Sequence, residues 1–225
     1  MKKAIIIFSG GLDSLCTTAY LMSKYQLYAI TFAYGQRAKK EVNIAKCFAK
    51  TLKLKEHKIT DIAFMKVLYE NTNVLTSKKK RMPSKFDYSI VAPIRNAIFL
   101  TIASAWAFTK NASVVAYGAH TGDKNYPDCR PDFSRKLENA LNKGEIDGIK
   151  SGKRKRIKIW SPAVDGLSKS EILKIGHSIL GDDIFKTWSC YENGKVHCGK
   201  CESCRNRKKA FTVSHIKDKT KYRTN

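Results

Sequence analysis

The chain has 225 residues, 43% of them hydrophobic, which is enough for one full globular core and a small appendage. The apolar run in MKKAIIIFSGG is too short for a signal peptide, and no apolar run of about 18 residues predicts a membrane span, so we expect a cytoplasmic protein. A formal net charge of +24 favours an acidic partner such as a nucleotide or RNA. Basic runs are spread over 78–81, 153–156, 205–209 and 217–223, however, and a lysine-rich composition bias is favoured over stable RNA binding.

The first predicted unit is a strand over 4–8 that SGGLDS, residues 9–14, joins to a helix with apolar residues at helical spacing. A strand that enters a helix through two glycines directs several N–H groups and the positive end of the helix dipole at one point, which favours a phosphate. Asp13 fits there only if a divalent cation lies between the charges, so the pattern indicates ATP with magnesium. The turn lacks the lysine of a Walker A motif and is not GxGxxG. An ordinary βα turn is the alternative, but it leaves Ser9, Asp13 and Ser14 unexplained.

SGGxDS after a strand resembles the pyrophosphate loop of the ATP pyrophosphatase superfamily, whose members cleave ATP between the α and β phosphates. The resemblance implies that the ATP-binding residues are Phe8, Ser9, Gly10, Gly11, Leu12, Asp13, Ser14, Leu15, Cys16, Thr17 and Thr18.

Strands and helices alternate along the rest of the chain. Further strands are predicted over 28–34, 57–62, 114–119 and 158–160, with helices over 42–52, from Pro93 onward, over 133–141 and after Ser168, where Ser168 and Glu171 form a capping box. Residues 64–89 indicate an insertion or lid with 77–85 mobile, and 144–156 indicate a basic loop. The alternation predicts an α/β fold, a Rossmann-like parallel sheet flanked by helices, which binds ligands at the carboxyl ends of its strands.

Several polar side chains fall at those carboxyl ends. Gln36 and Arg37 of YGQR follow the second strand and are candidates to frame an adenosine, the alternative being a polar turn. Arg95 starts a helix and can hold a phosphate or a carboxylate, unless it is an ordinary surface arginine. Lys169 begins the helix after Ser168, where the dipole disfavours a cation, which indicates that it serves a ligand anion.

The segment HTGDKNYPDCRPDF, residues 120–133, follows the fourth strand and has the composition of an active-site loop. Its polar groups can converge on a polar heterocycle or a metal: Asp123, Tyr126, Asp128 and Arg130. We do not expect Cys129 to be a nucleophile, because no base can be assigned to it. His177 is expected to be an ordinary packed histidine rather than a ligand.

Four of the seven cysteines lie close together, at Cys190, Cys198, Cys201 and Cys204. In a reducing compartment this crowding indicates a metal rather than disulfides. Four thiolates at this spacing can close a tetrahedron around Zn²⁺ and leave no open position, so the site is predicted to be structural. An iron–sulfur cluster, or His197 in place of one thiolate, are the alternatives.

Seven motifs occur in this order: SGGLDS, YGQR, PIRN, YPDCRPDF, LSKSEIL, TWSCY and CGKCESCRNRKKAF. Together they resemble the 7-cyano-7-deazaguanine synthase family of the pyrophosphatase superfamily, with gaps in the match at 63–90 and 142–156. The departures from the family pattern are Ala33 and Ala38 beside YGQR, Ala92 and Ile94 around Pro93, and one residue missing between Asp123 and Tyr126.

The resemblance implies an ATP-binding and catalytic α/β domain of the adenine nucleotide alpha hydrolase type over 1–185, and a zinc-binding segment with four cysteine ligands and a basic tail over 186–225. It implies an ATP-dependent ligase that makes 7-cyano-7-deazaguanine (preQ0), a precursor of queuosine and archaeosine, from 7-carboxy-7-deazaguanine and ammonia through adenylated carboxylate and amide intermediates. The candidate residues are Asp13, Arg95 and Lys169 for catalysis, and Gln36, Arg37, Asp123, Tyr126, Asp128 and Arg130 for substrate binding.

We expect ATP as cosubstrate, Mg²⁺, one structural Zn²⁺ per chain and a homodimer. No membrane contact is expected, and no nucleic acid is required, although the positive charge permits contact with tRNA.

Two other functions stay open. A tRNA sulfurtransferase of the same superfamily, with zinc or an iron–sulfur cluster, would require tRNA, but Leu12 and the YPDCRP loop argue against it. A zinc-containing RNA-binding module without enzymatic activity would bind RNA with a steep salt dependence and release no AMP.

Overall fold

A five-stranded parallel sheet forms the centre of the protein in residues 1–77 and 79–223, which are the residues that the computed structural model describes. The strands are β1 (Lys2–Ile7), β2 (Tyr25–Ala33), β3 (Glu56–Asp61), β4 (Val114–Ala116) and β5 (Lys158–Trp160), in the sheet order β3-β2-β1-β4-β5. Every neighbouring pair in this sheet is parallel. The predicted α/β fold with a Rossmann-like parallel sheet is therefore confirmed.

The strand bounds differ from the predicted ones by a few residues. β2 begins at Tyr25, earlier than the predicted 28, and β4 ends at Ala116 instead of 119. After Ala116 the chain approaches the turn that follows β1, so closely that a Cβ atom on Gly118 would lie 3.0 Å from the backbone nitrogen of Ser14. The end of β4 is thus set by contact with another segment, which no local pattern shows.

Eight α-helices surround the sheet in the part of the chain that the structure describes. They are α1 (Leu12–Met22), α2 (Lys40–Thr51), α3 (Met65–Tyr69), α4 (Arg95–Lys110), α5 (Pro131–Gly144), α6 (Ile146–Lys150), α7 (Lys169–Leu180) and α8 (Glu202–Ser214). α4 begins at Arg95 rather than at Pro93, because Ile94 has a left-handed backbone with φ of 45°. α6 lies inside the predicted loop 144–156, and its five residues are too short to establish a helical period.

The two faces of the sheet are covered by different helices. Ile5 points to one face, where it packs in a buried cluster with Leu100 and Ala103 of α4. Its neighbour Ile6 points to the opposite face, where it packs with Leu15 of α1. Each of these large apolar side chains is fully buried, which stabilises the fold by about 1.5–3 kcal/mol per side chain. The consecutive isoleucines of β1 are explained by burial on both sides.

The C-terminal segment shares hydrophobic contacts with the α/β part. Ala210 and Phe211 of α8 pack in one buried cluster with Leu12 and Cys16 of α1. The capping box at the start of α7 is present in both of its hydrogen bonds, as predicted. The division of the chain at residue 185 stays a prediction.

Part of the predicted insertion or lid, residues 64–89, is buried against the rest of the protein. Val74, Leu75 and Ile90 form a small buried cluster, and the backbone N–H of Arg37 donates to the Leu75 carbonyl oxygen at 2.8 Å. The segment has little regular secondary structure, which is why periodicity alone did not detect its buried residues. Lys78, which belongs to the basic run 78–81 and to the stretch expected to be mobile, lies outside the described residues.

The expectation that no apolar run is long enough for a membrane span needs a correction. Among the described residues, Tyr88–Lys110 has the length and composition of a span. Leu100, Ala103 and Ala107 of this stretch are nevertheless completely buried inside the protein. A core helix passes the same test, so this is weak support for a membrane span.

Candidate functional site

A cavity of about 260 Å³ opens at the carboxyl ends of β1, β2 and β4. The sheet order reverses between β1 and β4, and in open α/β sheets such a switch point forms the usual ligand crevice. Residues from several segments line the cavity, among them the turns after β1 and β2, the start of α2, the first turns of α4, residues 117–129 and residues 188–191. A cavity thus lies where the sequence predicted the ligand site.

The turn after β1 depends on the conformation of Gly10. Its φ of 82° lies in the left-handed region, and a Cβ atom at this position would lie 2.5 Å from the carbonyl oxygen of Glu41 and 2.7 Å from the nitrogen of Ala45. Only glycine therefore fits between this turn and α2. The N–H of Trp188 donates to the Gly10 carbonyl oxygen at 3.1 Å and holds the turn from the other side.

The turn presents N–H groups to the cavity. Helix α1 starts at Leu12 with Gly11 as N-cap, and no side chain caps its first turn. The N–H groups of Leu12, Asp13 and Ser14 have no intrahelical acceptor, as at any helix start, and the dipole adds positive potential. The hydroxyl oxygens of Ser9 and Ser14 lie 3.1 Å apart beside them. This arrangement suits a phosphate group.

Asp13 is held by residues from two distant segments. Its Oδ2 accepts a hydrogen bond from Lys169 Nζ at 2.7 Å, across 156 residues of sequence, and its Oδ1 lies 3.9 Å from His120 Nε2. Burial raises the pKa of Asp13, but Lys169 and His120 outweigh burial and leave the pKa below its usual value. Oδ1 is buried and has no hydrogen-bond partner among the described residues.

The loop 120–133 brings two of its four predicted site residues to the cavity. Asp123 and Tyr126 line it, and Asp123 also accepts a hydrogen bond from the backbone N–H of His120 at 3.0 Å. The pKa of Asp123 is raised, because the effect of burial is larger than the opposing effect of His120.

The other two residues of that loop have partners elsewhere. Asp128 is buried, and its two carboxylate oxygens accept hydrogen bonds from the backbone and side-chain nitrogens of Asn96, at 2.9 and 3.1 Å. The Arg130 guanidinium is exposed and donates to the Lys124 carbonyl oxygen. Neither side chain lines the cavity, so their role in substrate binding stays a prediction.

Arg95 lies on the cavity wall. Its guanidinium donates to the hydroxyl of Tyr34 at 3.1 Å and packs over the ring of Phe99 at 6.0 Å. Arg95 is therefore a cation held by aromatic neighbours, rather than the ordinary surface arginine that the sequence left open.

The two YGQR candidates differ in position. Gln36 lines the cavity, but its amide accepts from the N–H of Tyr34 at 2.9 Å and donates to the Phe32 carbonyl oxygen at 3.2 Å. Arg37 forms an ion pair with Glu192 at 2.9 Å and does not line the cavity. Both side chains brace the turn after β2, and their contact with a ligand stays a prediction.

Two side chains behave as expected from the sequence. The thiol of Cys129 accepts a hydrogen bond from Asn96 at 3.2 Å, and burial raises its pKa, so the thiolate needed of a nucleophile is disfavoured. His177 packs edge-on against the ring of Phe185 at 6.2 Å.

Four residues at the site were missed by sequence reasoning: Glu41, His120, Trp188 and Tyr191. Trp188 and Tyr191 lie close to Cys190 in sequence. Aromatic residues beside a candidate metal ligand could have indicated that this segment contributes to the site. His120 opens the loop that was already singled out. Glu41 offered no signal, because a single glutamate in the first turn of a helix is common.

The four cysteines of the C-terminal motif form a compact cluster. The sulfur atoms of Cys190, Cys198, Cys201 and Cys204 all lie within 4.8 Å of one another. Those of Cys190 and Cys201 are 4.0 Å apart, close to the roughly 3.8 Å edge of a tetrahedron with bonds of about 2.3 Å. Backbone N–H groups donate to the sulfurs of Cys190 and Cys198, as metal-bound thiolates require. The cluster can hold a metal ion such as zinc.

His197 does not belong to this cluster. Its Nε2 accepts a hydrogen bond from the N–H of Ser189 at 3.1 Å, and its ring stacks on Trp188 at 4.4 Å. The alternative ligand set with His197 is therefore not supported.

Comparisons with known proteins agree with the motif order. The family model described as "Queuosine biosynthesis protein QueC" matches residues 3–215. A Picrophilus torridus protein named 7-cyano-7-deazaguanine synthase is 40% identical over 99% of this chain and 92% of its own length. A protein of the same name from Caldicellulosiruptor saccharolyticus is 36% identical over 98% of this chain and 95% of its own length. Another, from Coxiella burnetii, is 37% identical over 100% of this chain and 99% of its own length. The chain belongs to the queuosine biosynthesis protein QueC family.

Proposed function

We propose that this protein uses ATP to convert 7-carboxy-7-deazaguanine and ammonia into 7-cyano-7-deazaguanine. The observation that carries the proposal is the phosphate-binding turn, 9–14, at the edge of the switch-point cavity in a chain of this family. In the reaction, a substrate carboxylate oxygen attacks the α-phosphorus of ATP and pyrophosphate leaves. Ammonia then displaces AMP to give the amide, and a second activation, of the amide oxygen, leads to the nitrile with loss of AMP.

The N–H groups at the start of α1 are positioned to accept the charge of the departing pyrophosphate. Arg95 supplies positive charge on the cavity wall, and the ammonium group of Lys169 supplies it beside Asp13, which also lines the cavity. No covalent enzyme intermediate is required, so these residues act by orientation and electrostatics.

Magnesium fits the carboxylate of Asp13. The orphaned Oδ1 is an oxygen ligand of the kind that Mg²⁺ prefers, and Asp13 would hold the ion. When bound, Mg²⁺ supplies positive charge to the phosphate oxygens of ATP. Lys169 keeps Asp13 ionised, since it lowers the pKa of that carboxyl.

The four cysteines would hold one structural zinc ion per chain. Trp188 and Tyr191, on either side of Cys190, form part of the cavity wall. We propose that the zinc fixes this wall against the phosphate-binding turn.

We further propose a cytoplasmic homodimer. None of the seven cysteines forms a disulfide, which suits a reducing compartment. Phe64, Val67 and Leu68 of the α3 region are 62%, 74% and 71% exposed, and Ile94 lies nearby at 64%. An apolar surface of this kind supports an interface between copies of the chain. Contact with tRNA through the basic surface is compatible with the proposal but not required by it.

The test is incubation of the purified protein with ATP, ammonium and 7-carboxy-7-deazaguanine, followed by mass spectrometry. AMP and the nitrile are expected without added tRNA. Strict dependence on tRNA would instead favour the sulfurtransferase. RNA binding with a steep salt dependence and no AMP would favour the non-enzymatic module.

A further inference from the structure

Glu41 is a cavity carboxyl group that the mechanism above does not use. It lies in the first turn of α2 and lines the cavity together with Ser9 and Asp13. Its backbone is fixed against the phosphate-binding turn, because its carbonyl oxygen is in contact with Gly10. The side chain therefore starts from a rigid position beside the expected site of the phosphates.

Glu41 differs from the other acidic groups of the site in having no partner. Asp13 is paired with Lys169, Asp123 accepts the His120 N–H, and Asp128 is bound by Asn96. Among the described residues, no side chain donates a hydrogen bond or forms an ion pair with the Glu41 carboxylate. Among the described residues that line the cavity, Glu41 is the acidic residue in which neither carboxylate oxygen has a protein partner.

The charged and titratable groups around Glu41 leave it with an unusual affinity for protons. Burial raises its pKa to about 8, and Arg95 on α4 only partly opposes that rise. Tyr34, from the turn after β2, bonds to Arg95, and Asp13 of the phosphate-binding turn is neutralised by Lys169.

Two basic groups near Glu41 in sequence have partners elsewhere. Lys40 donates to the carbonyl oxygens of Gly194 and Lys195, and Arg37 pairs with Glu192. Neither supplies a counter-charge to Glu41.

The charges of the three substrates decide which of them an unpaired carboxylate would serve. ATP and 7-carboxy-7-deazaguanine carry negative charge at their reacting groups and require the N–H groups, Arg95 and Lys169. Ammonium is the cationic substrate and must lose a proton before its nitrogen can attack. A carboxyl with an ordinary pKa is too weak a base to take that proton, whereas one with a pKa near the working pH is efficient.

We propose that Glu41 binds ammonium in the cavity and accepts its proton, an inference that rests on the proposed function. The ionised form of Glu41, which is the minor form at pH 7, takes one proton from ammonium, which becomes ammonia. The ammonia lone pair forms the C–N bond at the acyl carbon, and the C–O bond to AMP breaks with its electron pair on AMP. The nitrogen then releases its excess proton to water, and Glu41 returns its own proton to solvent before the next turnover.

The test separates activation from amination in Glu41→Gln. Exchange of labelled pyrophosphate into ATP, driven by 7-carboxy-7-deazaguanine without ammonia, is expected to stay near the wild-type rate. Amide formation from ammonium at pH 7 should fall about 10²–10⁴-fold, the usual contribution of a general base. Hydroxylamine is already neutral at pH 7, so hydroxamate formation should proceed at nearly the same rate in both proteins. Glu70→Gln, at an exposed position, is the matched control and should leave all three rates unchanged.

The outcomes distinguish this inference from the proposed function. Absence of pyrophosphate exchange in the wild-type protein would overturn the proposed function itself. Normal exchange with undiminished use of ammonium by Glu41→Gln would overturn only the role of Glu41. A raised KM for 7-carboxy-7-deazaguanine in the exchange reaction would assign Glu41 to the purine edge and also overturn the role in ammonium deprotonation.

A second variant covers the case in which Glu41→Gln does not fold. Glu41→Asp keeps the carboxylate but withdraws it by one methylene, which should slow amide formation from ammonium about 10²-fold relative to hydroxamate formation. Thermal melting checks that this variant is folded. A ratio of ammonium to hydroxylamine rates equal to that of the wild type would contradict the proposal.

Discussion

Lys169 and Asp13 form an ion pair at the start of α1, beside the expected position of the phosphates. Lys169 starts a helix, where the dipole disfavours a cation, and the carboxylate of Asp13 at 2.7 Å compensates for this. The sequence indicated that Lys169 serves an anion. In the structure this anion is the carboxylate of Asp13. Because Asp13 belongs to the turn 9–14, Lys169 lies next to the expected position of the phosphates.

We predict that Lys169→Met lowers the rate of AMP formation about 10²-fold, because a preorganised charge at the reacting phosphates is lost. Lys174→Met, at an exposed position on the same helix, is the control and should retain the wild-type rate. The measurement is steady-state AMP release from saturating ATP. An unchanged rate in Lys169→Met would remove this residue from the catalytic set.

The same pair predicts a pH dependence of stability. The pKa of Asp13 is lowered in the folded protein, so the ionised carboxylate stabilises the fold above its usual pKa of about 4 and this contribution is lost as pH falls through the lower folded value. The stability difference between wild type and Lys169→Met should therefore be largest near neutral pH and shrink below about pH 4, because burial raises the Asp13 pKa once Lys169 no longer opposes it. Urea unfolding at each pH measures it, and a difference that grows toward low pH would contradict the assignment.

Gly10 and Gly152 provide a matched pair for testing the turn. Both have positive φ, but a Cβ atom would collide with α2 at Gly10 and would meet open space at Gly152. We expect Gly152→Ala to cost about 1 kcal/mol through backbone strain, and Gly10→Ala to cost about 3 kcal/mol or more and to abolish ATP binding. Urea unfolding and titration calorimetry with ATP give the two numbers. Equal costs would mean that the packing of α2 on the turn is loose.

At the scale of elements, the metal cluster and the cavity are parts of one structure. Residues 188–191 carry both a cavity wall and the first cysteine, and the Trp188 N–H holds the Gly10 carbonyl. The buried Arg207 of α8 adds to this connection, because it donates to the hydroxyls of Thr187 and Ser189 at 2.8 and 2.9 Å. We therefore expect a metal bound here to affect the geometry of the cavity.

We predict that Cys198→Ser, or removal of the metal by a chelator, lowers both stability and activity. A structural zinc supplies on the order of 10 kcal/mol to ordering a short segment, so the melting temperature should fall by at least about 5 °C. Cys47→Ser, at an exposed cysteine outside the cluster, is the control. Metal content and thermal melting are measured together. Full AMP formation by the metal-free protein would show that the wall does not depend on the metal.

At the scale of the whole molecule, several exposed apolar side chains lie in or beside α3. Phe64, Val67 and Leu68 lie on it or at its start, and the Tyr69 hydroxyl bonds to the Pro93 carbonyl, which brings Ile94 to the same surface. A two-fold interface uses the same patch on both copies, so each buried side chain counts twice.

We predict that Leu68→Glu converts a homodimer into a monomer, because it places two like charges in the interface and exposes apolar surface worth about 1.5–3 kcal/mol per leucine. Val213→Glu, on the half-exposed side of α8, should leave the dimer intact. Light scattering after size-exclusion chromatography measures the mass. A monomeric wild-type protein would contradict the dimer.

Local chemistry in the sequence was sufficient for much of this protein. Contiguous patterns predicted the glycine turn between β1 and α1, the five strands and the cysteine cluster, because each of these is specified by residues close together in the chain. Their order also predicted the parallel sheet, since strands that alternate with helices can pair in few other ways.

Packing between distant segments decided the rest. It pairs Lys169 with Asp13 across 156 residues, and it commits Asp128 to Asn96 instead of to the cavity. In the part of the chain that the structure describes, it also leaves the Glu41 carboxylate without a partner in the cavity, where burial raises its pKa. The physical reason is that a side chain's charge state and partners depend on its three-dimensional neighbours, while a sequence pattern reports mainly the few residues before and after it.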